Sequence, residues 1–182
     1  MTPSLRILHC LRAPIGGLFR HVHDLVKGQA ELGLQVGVIC DSETGGENAA
    51  RALARLTDFC TLGVARCPMP RQIRPGDFQA YRRVKRLAAS LDVDVLHGHG
   101  AKGGAYARLG RNARAIRVYT PHGGSLHYRW GTPAGFLYLL AERALIRRTD
   151  LFLFESVYGQ DAFRAKVGEP AALSRVVHMK LP

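Results

Sequence analysis

Three short segments of this 182-residue chain combine residue types that can handle an anionic or hydroxylated ligand. Pro14-Ile15-Gly16-Gly17 lies between an apolar run at 7–11 and a helical pattern opening at Leu18-Phe19-Arg20-His21. A strand, a Gly-Gly turn and a helix start bring free backbone N–H groups to the positive end of a helix dipole, which suits a phosphate. His97-Gly98-His99 precedes Lys102, and Thr120-Pro121-His122-Gly123-Gly124 follows another β-branched run. Pro121 stops a strand from continuing as a paired element, and the glycines let backbone approach a ligand. A histidine there, His122, can donate to a developing negative charge or orient a sugar hydroxyl.

Other chemistries fit less well. Gly16-Gly17 lacks the G-x-G-x-x-G spacing of a dinucleotide site, so Asp41 after the second strand does not make a nicotinamide pocket and no cofactor is expected. His97 and His99 are read as alternating about a strand end and pointing to opposite sides. With no nearby Cys or carboxylate in sequence, they are expected to line a pocket with Lys102 rather than to hold a metal. Cys10, Cys40, Cys60 and Cys67 lack C-x-x-C spacing. Reduced cysteines in strand-like runs behave as small buried hydrophobes, in line with a reducing cytoplasm.

The elements that must carry these segments alternate regularly. Strands are expected at 5–11, 35–40, 59–64, 93–97, 116–120, 151–154 and 175–178, with helices at 17–32, 47–56, 77–91, 102–112, 133–148 and 156–166. Leu18, Val22, Leu25, Val26 and Gln29 recur at helical spacing, and Gly33 serves as the stop. Pro133 suits the first turn of the fifth helix, whose apolar Gly135-Phe136-Leu137-Tyr138-Leu139-Leu140 stretch is expected to pack in the core. Such alternation implies an α/β fold, a doubly wound parallel sheet with helices on both faces. Ligands of such sheets bind outside the carboxyl ends of the strands. The three segments above all fall there, as does Glu155-Ser156 after the sixth strand.

Charge narrows the partners. Twenty-six Lys and Arg against fourteen Asp and Glu leave a net charge of +12, which favours phosphorylated ligands, an anionic membrane surface or nucleic acid. Residues 66–86 hold seven basic side chains against Asp77 alone, and Pro68-Met69-Pro70 and Ile73 set apolar groups among Arg71 and Arg74. That mixture suits a lipid headgroup region. Aromatic residues are few beside the basic runs and no RNA or DNA motif appears, so nucleic acid is not expected. The chain has no apolar run of about 18 residues, the length of a membrane-spanning helix.

Taken in order, Ile15-Gly16-Gly17 with His21 and His23, Leu34-Gln35-Val36-Gly37-Val38 and Val95-Leu96-His97-Gly98-His99 form a recognisable series. It continues through Tyr119-Thr120-Pro121-His122-Gly123, the Glu142-Arg143 helix ending Arg148-Thr149-Asp150, and Phe154-Glu155-Ser156. The series resembles the N-terminal, acceptor-side domain of retaining glycosyltransferases of family-4 type with the GT-B fold, which is built from two Rossmann-like halves. The resemblance implies sugar transfer from a nucleotide diphosphate sugar to an acceptor glycan or lipid. The basic loops favour a phosphorylated or lipid-linked acceptor, and with them the expectation is a cytoplasmic domain, peripheral on the inner membrane face. The resemblance further implies that Gly16 and Gly17 lie against the donor diphosphate and that His122 meets the donor sugar at the reaction centre. His99, Lys102, Arg71 and Arg74 are, by position, the acceptor-binding candidates.

On this reading residues 1–178 form the Rossmann-like domain and 179–182 begin a linker or an altered end. The family usually has a His-Asn-Gly segment where this chain reads His178-Met179-Lys180. Its nucleotide-binding C-terminal domain, with an Arg/Lys pair and a Glu-rich motif, is not in this sequence. The expectation is a domain that binds donor weakly and is inactive or nearly so without a partner half. The competing expectation is a non-enzymatic basic α/β module that docks on an anionic membrane or a partner subunit.

Overall fold

The computed structural model describes residues 4–109 and 114–177, so the expected linker at 179–182 and the end of the fourth expected helix lie outside the described residues. In chain order the strands are β1 (Arg6–Leu11), β2 (Gln35–Asp41), β3 (Val64–Cys67), β4 (Val95–His99), β5 (Ile116–Thr120), β6 (Leu151–Phe154) and β7 (Leu173–Val176). They are joined by α1 (Gly16–Glu31), α2 (Gly46–Thr57), α3 (Gly76–Ser90), α4 (Gly100–Arg108), α5 (Pro133–Leu145) and α6 (Val157–Lys166). The strands form one sheet in the order β3-β2-β1-β4-β5-β6-β7, parallel throughout. The expected doubly wound, Rossmann-like architecture is what the chain adopts.

Alternation along β1 shows how the two faces are covered. Leu8 and Cys10 join Val84 of α3 and Tyr106 of α4 in one core, while Leu11 joins Val22 and Val26 of α1 and Leu53 of α2 in the other. A third cluster under α5 and α6 gathers Tyr119, Leu139, Phe152, Phe154 and Phe163. Strand order turns at β1–β4, since β2 and β3 extend to one side and β5 to β7 to the other. A crevice opens at such a reversal, where the loops leaving the two strands go to opposite faces.

Glycine lets α4 press onto β1 and β4. A Cβ on Gly103 would stand 2.2 Å from the Cys10 carbonyl oxygen, and one on Gly104 would stand 2.2 Å from the Tyr119 ring. The helix therefore rides closer to the sheet than side chains allow, and it carries Lys102 and the end of β4 with it.

Several expected boundaries move. Residues 59–63 form a turn, not the start of β3, because Gly63 takes φ +82° and ends the approach to Val64. Cys60 and Leu62 are apolar there because they pack against the cores, not because they are in a strand. β4 begins and ends two residues later than expected, which brings His99 into the sheet. β7 begins two residues earlier than expected, at Leu173. Residues 146–148 make a short 3-10 turn after α5. Core packing of the 135–140 stretch is corrected as well: Gly135 and Leu139 are buried, but Phe136, Leu137 and Leu140 are exposed. All four cysteines are free and buried, Cys10, Cys40 and Cys60 as expected and Cys67 at the end of β3 besides, and burial pushes the Cys60 thiol up to about 11.

Candidate functional site

The loops at the carboxyl edge of the sheet surround a pocket of about 320 Å³ at the β1–β4 reversal. Arg12, Ala13 and Ile15 line it from the loop after β1, and Leu18 from the first turn of α1. His99 and Gly100 line it from the end of β4, and His122 and Gly124 from the loop after β5. Arg71 closes one side, with Lys102, Tyr128 and Tyr138. Arg12, Ile15 and Arg71 also line a second cavity, of about 520 Å³, that reaches Asp41 and Thr44.

Beside the pocket, α1 begins without a side-chain cap, its N-cap Ile15 and Leu18 in the lining and Gly16 and Gly17 outside it. Gly16 takes φ +74°, and neither Gly16 nor Gly17 has a neighbouring atom within 4 Å of where a Cβ would be. The first-turn N–H groups of such a helix have no intrahelical acceptors and carry the positive end of the dipole. A helix start of this kind suits an anion.

Above it stands a column of histidines set by register. The parallel pairing places His9 opposite His97 and Leu11 opposite His99. His97 and His99 therefore share the α1 face of the sheet, with ring centroids 3.9 Å apart. The expectation that they point to opposite sides is corrected: both lie within β4, and residues two apart in a strand are on one face. His9 Nε2 meets Gln29 Oε1 at 2.8 Å, and His9 Nδ1 meets His99 Nε2 at 2.9 Å. His99 Nδ1 meets His122 Nε2 at 3.0 Å, and His122 Nδ1 meets Glu155 Oε2 at 2.9 Å. His97 Nε2 meets Thr120 Oγ1 at 2.9 Å. Both ring nitrogens of His122 are thus engaged, and its backbone sits in the left-handed region at φ +51°. A non-glycine residue held there is a strained one, a frequent property of functional loops.

Burial shapes the charges. It holds His9 down at about 4 and His97 and His99 well below the ordinary imidazole range, so all three are neutral near pH 7. His21, 3.5 Å from Glu155, is lowered by burial and then by His122. Burial raises Glu155, but its hydrogen bond and charge attraction to His122 outweigh that and leave it below the ordinary carboxylate range.

The expected acceptor residues divide. His99, Lys102 and Arg71 border the pocket, whereas Arg74 lies outside its lining and uses its backbone N–H on Asp77 Oδ2 at 2.7 Å. Lys102 is nearly buried, and its Nζ donates to Asp77 Oδ1 at 2.5 Å and to Gln72 O at 2.9 Å. Its charge is therefore already shared with a carboxylate. Asp41 is buried as well, its carboxylate accepting from Thr44 Oγ1 and from the Met69 N–H, so it ties a loop. Sequence reasoning placed Glu155 at this edge but gave it no role, and it missed Arg12, His9 and His21 as members of the site. Arg12 follows a strand, as Glu155 does, and that position was the available signal.

The model of the Glycosyl transferase 4-like domain family matches residues 16–179. The chain belongs to this family. EpsD of Bacillus subtilis (strain 168), a glycosyltransferase by its name, is 26% identical over 181 residues, covering 95% of this chain and 43% of EpsD. A glycosyltransferase from Rickettsia africae superposes with a TM-score of 0.67 at 15% identity, over 96% of this chain and 43% of that one. Sucrose-phosphate synthase from Thermosynechococcus elongatus gives 0.65 at 13% identity, over 98% and 90%. At these identities the structural likeness speaks for the fold alone. The glycosyl transferase 4-like domain spans less than half the length of EpsD. Among its described residues no helix is long and apolar enough to cross a membrane.

Proposed function

We propose that this glycosyl transferase 4-like domain is the acceptor-side half of a retaining glycosyltransferase. It would act on a nucleotide diphosphate sugar and a phosphorylated or lipid-linked acceptor. One observation carries the reading: the uncapped α1 start, His122 and Arg71 surround a single pocket at the reversal of strand order. In the mechanism, amides of Gly16 and Gly17 stabilise the leaving diphosphate, with further cations from a second domain. His122 places the donor sugar, exchanging one of its two ring contacts for the ligand. His99, Lys102 and Arg71 are the acceptor-side lining, with Arg74 at the rim of the same loop.

Alone, the chain is expected to transfer no sugar at a measurable rate. In an enzyme completed with its nucleotide-binding domain, His122→Ala is expected to lower kcat about 100-fold, the scale of losing one preorganised polar contact at a reaction centre. Steady-state transfer assays read this directly. Unchanged kcat in the folded variant would remove His122 from the reaction centre.

A peripheral membrane contact is a second reading, and α5 favours it. Phe136, Leu137 and Leu140 are exposed on this helix, and Tyr138 reaches the Arg71 carbonyl at 3.4 Å, beside exposed Ile73. An apolar ridge flanked by arginines suits anionic lipid. Sedimentation with phosphatidylglycerol vesicles is expected to retain the chain, and Leu137→Glu with Leu140→Glu to release it. Equal retention of the double variant would argue against α5 as the contact.

A further inference from the structure

We propose that the groove between α4 and α5 holds the acyl chain of a lipid acceptor, with Arg108 meeting the ester carbonyl. The inference rests on the acceptor-side reading above and names the class of acceptor. The groove has a volume of about 340 Å³ and is distinct from the pocket at the strand reversal. Ala101, Ala105 and Leu109 form its α4 wall, and Ala141, Ala144 and Leu145 its α5 wall. Packing explains why it stays open. Gly103 and Gly104 let the far side of α4 press onto the sheet, where a Cβ on either would stand 2.2 Å from its neighbour. The alanines on the side toward α5 are too short to fill the space that remains. From Ala101 to Leu109 the lining runs about 12 Å at the helical rise. Spread over that length, the volume admits one hydrocarbon chain, whereas a partner helix is about 10 Å across.

Arg108 supplies a second, independent argument. It is fully buried and borders the groove, and its Nη1 has no hydrogen-bond partner among the described residues. Its Nε and Nη2 are already engaged by the Gly104 carbonyl and the Glu142 carboxylate. A buried cationic N–H without an acceptor is costly. Hydrocarbon alone leaves that cost in place, whereas a carbonyl oxygen accepts the bond. An acyl ester therefore brings both the chain that the walls fit and the oxygen that Nη1 lacks.

The groove also adjoins the place where an acceptor headgroup would sit. Ala101, Lys102 and Tyr138 line both the groove and the pocket, so one row of side chains divides them. That row is held in place: Tyr138 stacks on Tyr128 with ring centroids 4.6 Å apart, and Lys102 is bonded to Asp77 and to the Gln72 carbonyl. A phosphorylated headgroup beside Arg71 leaves its chain to run past Tyr138 toward the exposed side chains of Ile73 and Leu109. A bilayer lipid offers the same hydrocarbon, but it would meet Leu137 and Leu140, which are exposed on α5 and outside the groove lining.

The test is calorimetric titration of the chain with glycerol phosphate and with its hexanoyl, octanoyl and decanoyl monoesters, kept below micelle-forming concentrations. Affinity is expected to rise about fourfold per added methylene while the groove fills. The octyl ether analogue, which lacks the carbonyl, should bind about tenfold more weakly than the octanoyl ester. The ester is varied on the ligand because replacing Arg108 would disturb its pair with Glu142. Ala105→Leu and Ala141→Leu, made separately, narrow the groove from opposite walls and should abolish the dependence on chain length. Leu137→Glu with Leu140→Glu should preserve it, which separates the groove from a bilayer contact. Circular dichroism reports whether each variant folds, and either alanine variant carries the test alone. Affinity independent of chain length, or a dependence that the folded alanine variants retain, would overturn the groove. So would a dimer in sedimentation that those variants dissociate, since a second copy would then cover this face. Glycerol phosphate itself probes the pocket, so loss of its binding counts against the acceptor-side reading and not against the chain-length result.

Discussion

Acidification from pH 7 toward pH 4 is expected to destabilise this domain strongly. The origin is the buried imidazole column. His9 is held at about 4 against an ordinary 6.5, and His97 and His99 are lowered well below it, with burial the leading cause in each case. His9 faces Gln29, His99 and, through charge, His21, and His97 faces Thr120, while His99 faces His122, which holds the Glu155 carboxylate, so none of the three buried rings touches a carboxylate directly. A lowered histidine is neutral in both states above pH 6.5, and its contribution to stability is complete there. Below pH 6.5 the unfolded chain takes up protons that the folded chain refuses, so stability falls until the folded value is reached. Each such histidine costs about 1.4 kcal/mol per pH unit between its unfolded and its folded value. Against a total stability of about 5–15 kcal/mol such a loss is a large share. Urea midpoints measured from pH 7.5 to 4.5 check the slope, and His97→Gln, which keeps a polar group near Thr120, should flatten it by one proton. A midpoint constant across that range would show that the column does not titrate as its burial requires.

A second large effect is expected from Glu142→Leu, which should cost about 3–5 kcal/mol. Arg108 is fully buried, and its Nη2 donates to Glu142 Oε2 at 2.8 Å while its Nε donates to the Gly104 carbonyl at 2.9 Å. The guanidinium lies 3.5 Å over the Tyr119 ring, whose hydroxyl donates to Glu142 Oε1 at 2.6 Å. Glu142 thus answers two buried donors, and the leucine removes both of those bonds. Arg108 Nη1 has no hydrogen-bond partner among the described residues, so the pair has little reserve. The double variant Arg108→Met with Glu142→Leu should recover most of the loss, because apolar replacement of a complete buried pair is often neutral. Denaturant unfolding of the three proteins measures both numbers. A single variant as stable as the parent would mean that water reaches Arg108 through the adjoining cavity.

Both effects depend on contacts that no local pattern announces, and this explains where sequence reading stopped. The order of strands and helices was legible because apolar spacing is local: β5 and β6 fall at the expected residues, and Gly33 at φ +79° ends α1 as its position suggested. The site was legible as a set of loops, since Gly16, Gly17, His99 and His122 all follow strands that run the same way. What each residue touches was not. Lys102 and Arg74 resemble free cations in a basic stretch, yet one is paired with Asp77 and the other stands outside the pocket. Phe136 and Leu137 resemble core residues, yet α5 turns them outward because Gly135 and Leu139 face the sheet.

By itself, the sequence determined an alternating α/β chain with a glycine turn before its first helix, histidines at strand ends and a strong positive charge. Those features follow from residue type and spacing, which act over a few positions. Only the tertiary structure decided that His9, His99 and His122 form one hydrogen-bonded column ending on Glu155, with the His97 ring against that of His99. Parallel pairing sets that column by register, joining residues 88–90 positions apart in β1 and β4. Register is fixed by burying whole faces of a sheet, a property of all the strands together and of no single segment.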